Sequence, residues 1–167
     1  KAHLHLHFTG SMRQSTLWDL AAERGIRLPR SLTDDVAFQV EPTRRGWFRF
    51  QRQYDAARAV VDSEGAMRRI IHEAAEDDAA EGSGRLELQV DPTSYAPFVG
   101  GLTPAIEIVL DQAAISSRET GVDIGIIIAA SRTRHPLDAR TLARLAAKNV
   151  GPVIGFGLSN DERRGDT

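Results

Sequence analysis

The chemistry of this chain is concentrated at its start, where His3-Leu4-His5-Leu6-His7 sets three of the five histidines at alternate positions. On an extended strand, side chains at i, i+2 and i+4 share one face, with Cα atoms two apart separated by roughly 6.5–7 Å. Two imidazoles at that spacing can converge on one ion with bonds of about 2.0–2.1 Å, while the leucines between them face the other way. A contiguous histidine run would suggest a tag, but the strict leucine alternation does not. Histidines that merely happen to lie on an amphipathic strand are the competing reading. The chain has no cysteine, so a metal must be held by His, Asp or Glu, and disulfides and thiol nucleophiles are excluded. A catalytic zinc centre usually takes three protein ligands and a water. Three alternate residues on one strand span about 13 Å, too far for all of them to reach one ion. His3 is thus a third ligand by position only, and the remaining ligands should come from elsewhere. His135, before Pro136, reads as a loop residue without a role, and His72, between Ile71 and Glu73, reads as structural.

The elements that must carry this pair alternate between strands and helices. Residues 2–8 form a strand with period two. Helix follows over 15–24, stopped by Gly25. Residues 28–43 are loop-like, punctuated by Pro29 and Pro42. Residues 45–61 are helical and carry Trp47, Phe48, Phe50 and Tyr54. Residues 64–81 form a further helix, ended by Gly82 and Gly84. A second strand at 85–90 closes on Asp91-Pro92. Thr103-Pro104 reads as a helix start, with Thr as the cap and Pro at the first helical position, and that helix runs to about residue 120. Residues 123–130 form a strand apolar on both faces, as a strand buried from both sides should be. Helix at 137–148 and a fourth strand at 152–158 complete the pattern. The class is α/β with a parallel sheet, and residues 1–167 read as one domain. Four βα units are half of a (β/α)8 TIM barrel, which takes about 250 residues. The expectation is therefore the first four units of such a barrel, apparently truncated, with open edges on the first and fourth strands. A complete four-stranded α/β protein is the alternative.

Composition narrows the partners. Apolar residues make up 41% and charged residues 26%, enough to bury a core. The 21 basic and 23 acidic side chains give −2, with no basic excess of the kind nucleic acids or anionic membranes select. A small molecule is the expected partner, with no nucleic acid and no membrane. No apolar run reaches the roughly 18 residues of a spanning helix, and no signal-peptide pattern is visible, so a cytoplasmic setting is expected. The first residue is Lys1 rather than Met, so the ends need not be natural ends.

Four stretches carry a resemblance. Lys1-Ala2-His3-Leu4-His5-Leu6-His7-Phe8-Thr9-Gly10-Ser11 resembles the opening strand motif of the adenosine deaminase family of metal-dependent amidohydrolases. Trp47-Phe48, Phe50 and Tyr54-Asp55 resemble that family's aromatic helix over base and ribose. Residues 86–92 (LELQVDP) resemble its second strand, and residues 153–162 (VIGFGLSNDE) its fourth strand and following turn. The resemblance implies zinc held by His5 and His7, and a purine nucleoside packed against Phe48, Phe50 and Tyr54, with Trp47 helping to exclude water. Thr9, Asp91 and Asn160 would be further substrate contacts.

The implied reaction is hydrolytic loss of the 6-amino group as ammonia, with zinc lowering the pKa of water toward ~7. Four departures matter. Thr9 stands where the family has an Asp that contacts the ribose 5′-hydroxyl, and Thr is neutral and shorter. This implies a substrate altered at the 5′ position, such as the 6-amino-6-deoxyfutalosine of menaquinone biosynthesis, beside plain adenosine. Gln89 replaces an Arg and Asp91 a Ser. Asn160 replaces a Gly whose backbone N–H meets the purine. The family's third zinc His, its proton-shuttling Glu and its late Asp pair have no counterpart in residues 1–167, so no catalytic residue is assigned and activity requires residues beyond Thr167. An inactive fragment, or a half-barrel that binds metal or nucleoside and self-associates through its open edge, is the alternative. Another hydrolase of the same superfamily, acting on a different ring, is a third. Asp161-Glu162 and Arg163-Arg164 read as exposed loop charges, Glu87 as a structural ion-pair partner, and Arg132 as a surface residue within reach of an anionic substrate group.

Overall fold

The computed structural model describes residues 1–33 and 43–163. Pro42 and Arg164, on which part of the loop and tail reading rested, lie outside them. Strands β1 (Ala2–His7), β2 (Arg85–Val90), β3 (Asp123–Ser131) and β4 (Val153–Ser159) form one parallel sheet in sequential order. Helices α1 (Gln14–Glu23), α2 (Arg44–Arg58) and α3 (Glu64–Ala80) cross from β1 to β2. Helices α4 (Ala96–Val99) and α5 (Leu102–Thr120) cross from β2 to β3, and α6 (Pro136–Lys148) from β3 to β4. These four strand units have the architecture of the first half of a (β/α)8 barrel.

The core lies between the sheet and its helices. Leu88, Val90, Ile126 and Ile128 on the strands meet Ile70, Ile71 and Ile106 on α3 and α5, and none is more than 1% exposed. Each such side chain contributes about 1.5–3 kcal/mol. Local signals start the helices. Ser63 accepts the Ala66 N–H at 3.2 Å to cap α3, and Thr43 accepts the Gly46 N–H at 3.0 Å to cap α2. The expected Thr103 cap is not one. Helix α5 begins two residues earlier, behind Gly100 and Gly101 at φ 87° and 135°. Those backbone conformations favour glycine, and they leave Thr103 and Pro104 inside the first turn.

The sheet's other face is lined by small residues. Gly155 and Gly157 of β4 lie beside Ile127 of β3, and an ideal Cβ on Gly157 would come 3.6 Å from Ile127. A Cβ on Gly125 would stand 2.7 Å from Arg85 Nη2 and Ile154 Cδ1, the far ends of two flexible side chains that would have to turn aside. Among the described residues β1 pairs only with β2 and β4 only with β3. On the helix-facing side of β4, Phe156 and Leu158 remain 40% and 39% exposed. No described helix is long and apolar enough to cross a membrane.

The three histidines do not share a face. The β1–β2 register shifts between His3 and Leu6, and His5 sits at φ 68°. This bulge inserts one residue and re-aims everything after it. His3 therefore turns to the helix layer, where its Nδ1 lies 2.8 Å from Asp78 Oδ1 of α3.

Candidate functional site

The carboxyl ends of the strands and helix α2 enclose a cavity of about 560 Å³. Loops beyond the strand C-termini are where parallel α/β barrels place their sites. β1 supplies His5 and His7, whose rings meet edge to face with centroids 4.9 Å apart. Burial, and then the neighbouring His5, hold the His7 imidazolium below its ordinary pKa, so His7 is a neutral ring with a lone pair available to a metal. The pair fits two positions of a metal centre by donor type and proximity. Among the described residues no group of three or more His, Asp or Glu is placed to hold a metal.

Helix α2 forms one wall. Trp47, Phe50 and Tyr54 fall at i, i+3 and i+7, with successive centroids 5.8 Å and 6.0 Å apart, and all three line the cavity. Phe48 falls off that stripe. It is 37% exposed, lies outside the cavity lining, and its ring packs under the Arg44 guanidinium at 5.7 Å. Helical periodicity separates it from its neighbours, a distinction the cluster of aromatic letters conceals.

Thr9, Asp91 and Asn160 all line the cavity, each already engaged. Thr9 Oγ1 is 2.6 Å from the Tyr95 hydroxyl, with both residues buried. Burial foremost pushes the Tyr95 ionisation well above its ordinary value, so it stays a neutral phenol. Asp91 Oδ1 accepts from the Thr93 N–H at 3.0 Å and the Thr93 hydroxyl at 2.6 Å. Asn160 adopts φ 80°, a left-handed conformation that Asn tolerates better than other side-chain-bearing residues. Its Nδ2 donates to Ser131 Oγ at 3.2 Å, and its Oδ1 accepts from the Asp161 N–H at 2.8 Å.

Several lining residues escaped the sequence reading. Tyr95 follows an Asp-Pro turn that gives no periodic signal. Arg58 continues the α2 stripe at i+4 from Tyr54, and its guanidinium lies 4.9 Å over that ring. Arg134 lines the cavity, whereas Arg132 pairs with Glu162 at 3.7 Å. Glu87 is bound to Arg85 at 3.3 Å, outside the lining. His72 lies 3.4 Å from both Glu76 and Glu119, and His135 caps α6 by accepting the Leu137 N–H at 3.2 Å.

Four parallel βα units with an imidazole pair at the carboxyl rim are the first half of a (β/α)8 barrel of the kind whose sites form at that rim. The chain belongs to the adenosine deaminase family, whose family model matches residues 1–166. The "Putative adenosine/adenine deaminase" of Streptomyces virginiae is 59% identical over 167 residues, covering 99% of this chain and 49% of the relative. The crystal structure of an adenine deaminase from Arthrobacter aurescens superposes with a TM-score of 0.77 at 26% identity, over 97% of this chain and 49% of that one. An amidohydrolase from Burkholderia ambifaria, solved with bound zinc, gives 0.80 at 23% identity over 97% and 44%. The chain thus spans about half the length of the curated relatives it matches.

Proposed function

We propose that the protein containing these residues is a zinc-dependent hydrolase that removes the 6-amino group of a purine nucleoside, and that residues 1–167 are its N-terminal half-domain. Water adds at C6, and the amino group leaves as ammonia. The observation that carries the reading is the His5–His7 pair, its rings edge to face at 4.9 Å, facing a cavity walled by aromatic rings. His5 and His7 would fill two zinc positions, and zinc bound there supplies an acidified water. Trp47, Phe50 and Tyr54 would pack on the base and exclude solvent, and Asn160 would offer its backbone N–H to the purine edge. The remaining ligands and the proton-transfer carboxyl would come from outside residues 1–167.

The substrate is adenosine or a nucleoside modified at its 5′ end, with 6-amino-6-deoxyfutalosine, and so menaquinone biosynthesis, as one such case. Its support is Thr9, a neutral side chain tied to Tyr95 where a ribose-binding carboxylate would stand. The setting is the cytoplasm, and pairing of open sheet edges is a route to self-association.

The test is metal analysis and ammonia release by the full-length protein, compared with H5A and H7A. About one zinc per chain and release from adenosine or a 5′-modified analogue are expected, with both lost in each variant. Zinc retained by H7A would overturn the ligand assignment. Zinc binding without ammonia release would leave a metal-binding half-barrel.

A further inference from the structure

We propose that the substrate carries an anionic group at the 5′ end of its ribose, a phosphate or a carboxylate, and that Arg58 binds it. This rests on the deaminase reading of the same cavity and specifies its substrate class.

Arg58 differs from the other cations of its helix. Arg44, Arg45, Arg49 and Arg52 are exposed on α2, while Arg58 is half-buried and lines the cavity. Thr9, Tyr54, Asp91 and Tyr95 line the same cavity. The Tyr54 ring supports the Arg58 guanidinium from below at 4.9 Å, and the Arg58 charge reaches the Tyr95 hydroxyl, opposing part of the effect of burial on it. Arg58 therefore stands beside the Thr9–Tyr95 pair, where the nucleoside's 5′ end is expected.

The charges nearby leave this cation available. Thr9 is neutral and its hydroxyl is occupied by Tyr95. Asp91 has one carboxylate oxygen committed to Thr93. The only ion pair described for Arg58 is to Asp55 at 3.3 Å, and Asp55 is about half exposed. Exposed pairs of this kind are weak, and one contact leaves most of the five guanidinium donors unused. A planar fork preset by an aromatic ring suits a phosphate or carboxylate.

Helix α2, one wall of the cavity, carries the same sign. Helix α2 has five arginines and one acidic residue, in a chain whose net charge is −2. Among the described residues Arg134, also on the lining, forms no ion pair. Clustered cations at a cleft mouth raise the encounter rate of anions and lose that advantage as salt screens them.

The experiment uses the full-length, zinc-loaded protein with adenosine, adenosine 5′-monophosphate and adenosine 5′-carboxylic acid, and compares wild type with R58Q and R58K. At least one anionic nucleoside should exceed adenosine in kcat/KM by about tenfold, and R58Q should cut that preference about ten- to a hundredfold. R58K, which keeps the charge but not the fork, should fall between them. The preference should also shrink as ionic strength rises. Whichever anion is favoured identifies the group. Equal use of adenosine and both anions, or a preference that survives R58Q, overturns the proposal and leaves the deaminase reading standing. Calorimetry with inosine and inosine 5′-monophosphate gives a readout free of turnover. At least about tenfold tighter binding of the monophosphate, lost in R58Q, supports the proposal even if no aminopurine is deaminated, and equal binding overturns it.

Discussion

The Thr9–Tyr95 contact is a quantitative test of how the cavity floor is held. Thr9 is 4% exposed and Tyr95 3%, and their hydroxyls lie 2.6 Å apart. Thr9→Val keeps the β-branched shape and deletes only the hydroxyl, leaving the Tyr95 phenol buried without that partner. Such an orphaned group costs about 1–3 kcal/mol. Tyr95→Phe keeps the ring against Phe8, centroids 5.0 Å apart and 68° between planes, and orphans Thr9 by a similar amount. The double variant removes both polar groups from the same buried place, so its cost should fall short of the sum of the singles by at least about 1 kcal/mol. Urea unfolding of the four proteins, with equal m-values as the control for two-state behaviour, measures this. Single-variant costs that add within about 0.5 kcal/mol would mean the hydroxyls are not energetically coupled, and that Tyr95 does not hold the Thr9 hydroxyl away from substrate.

Alkaline pH probes the same residue. The folded Tyr95 ionises well above the ordinary value of about 10, so the unfolded chain loses its proton first. Stability is then full below pH ~10 and declines by about 1.4 kcal/mol per pH unit above it, and Y95F should lack that part of the slope in unfolding curves taken at rising pH. Gly125→Val should change stability by no more than about 1 kcal/mol, because the atoms its Cβ would meet at 2.7 Å are the far ends of the Arg85 and Ile154 side chains, which can turn aside; a melting temperature lowered by clearly more than that would show that those side chains cannot move. Ser63→Ala should cost about 1 kcal/mol by freeing the Ala66 N–H at the start of α3, read as a lower denaturation midpoint.

How much of this was legible in the sequence depended on the range of the interactions involved. Period two in the strands, period 3.6 in the helices and the Gly stops report local backbone preference, so the four βα units and their parallel class could be read directly. The His5–His7 pair was visible because the spacing of two side chains along one strand is a local quantity. The bulge that separates His3 from this pair was not, since register against β2 is set by contacts some eighty residues distant. The same holds for Tyr95, whose place beside Thr9 depends on two strand ends being neighbours in the sheet. Helix phase settled Phe48 and Arg58, one turned outward and the other into the cavity, and the letters alone do not fix that phase against the sheet. The sequence by itself determined the main strands and helices, their order and the imidazole pair on the first strand, because each follows from neighbours in the chain. Only the tertiary structure decided which side chains share the cavity, because that is decided by strand register and helix rotation, which long-range packing sets.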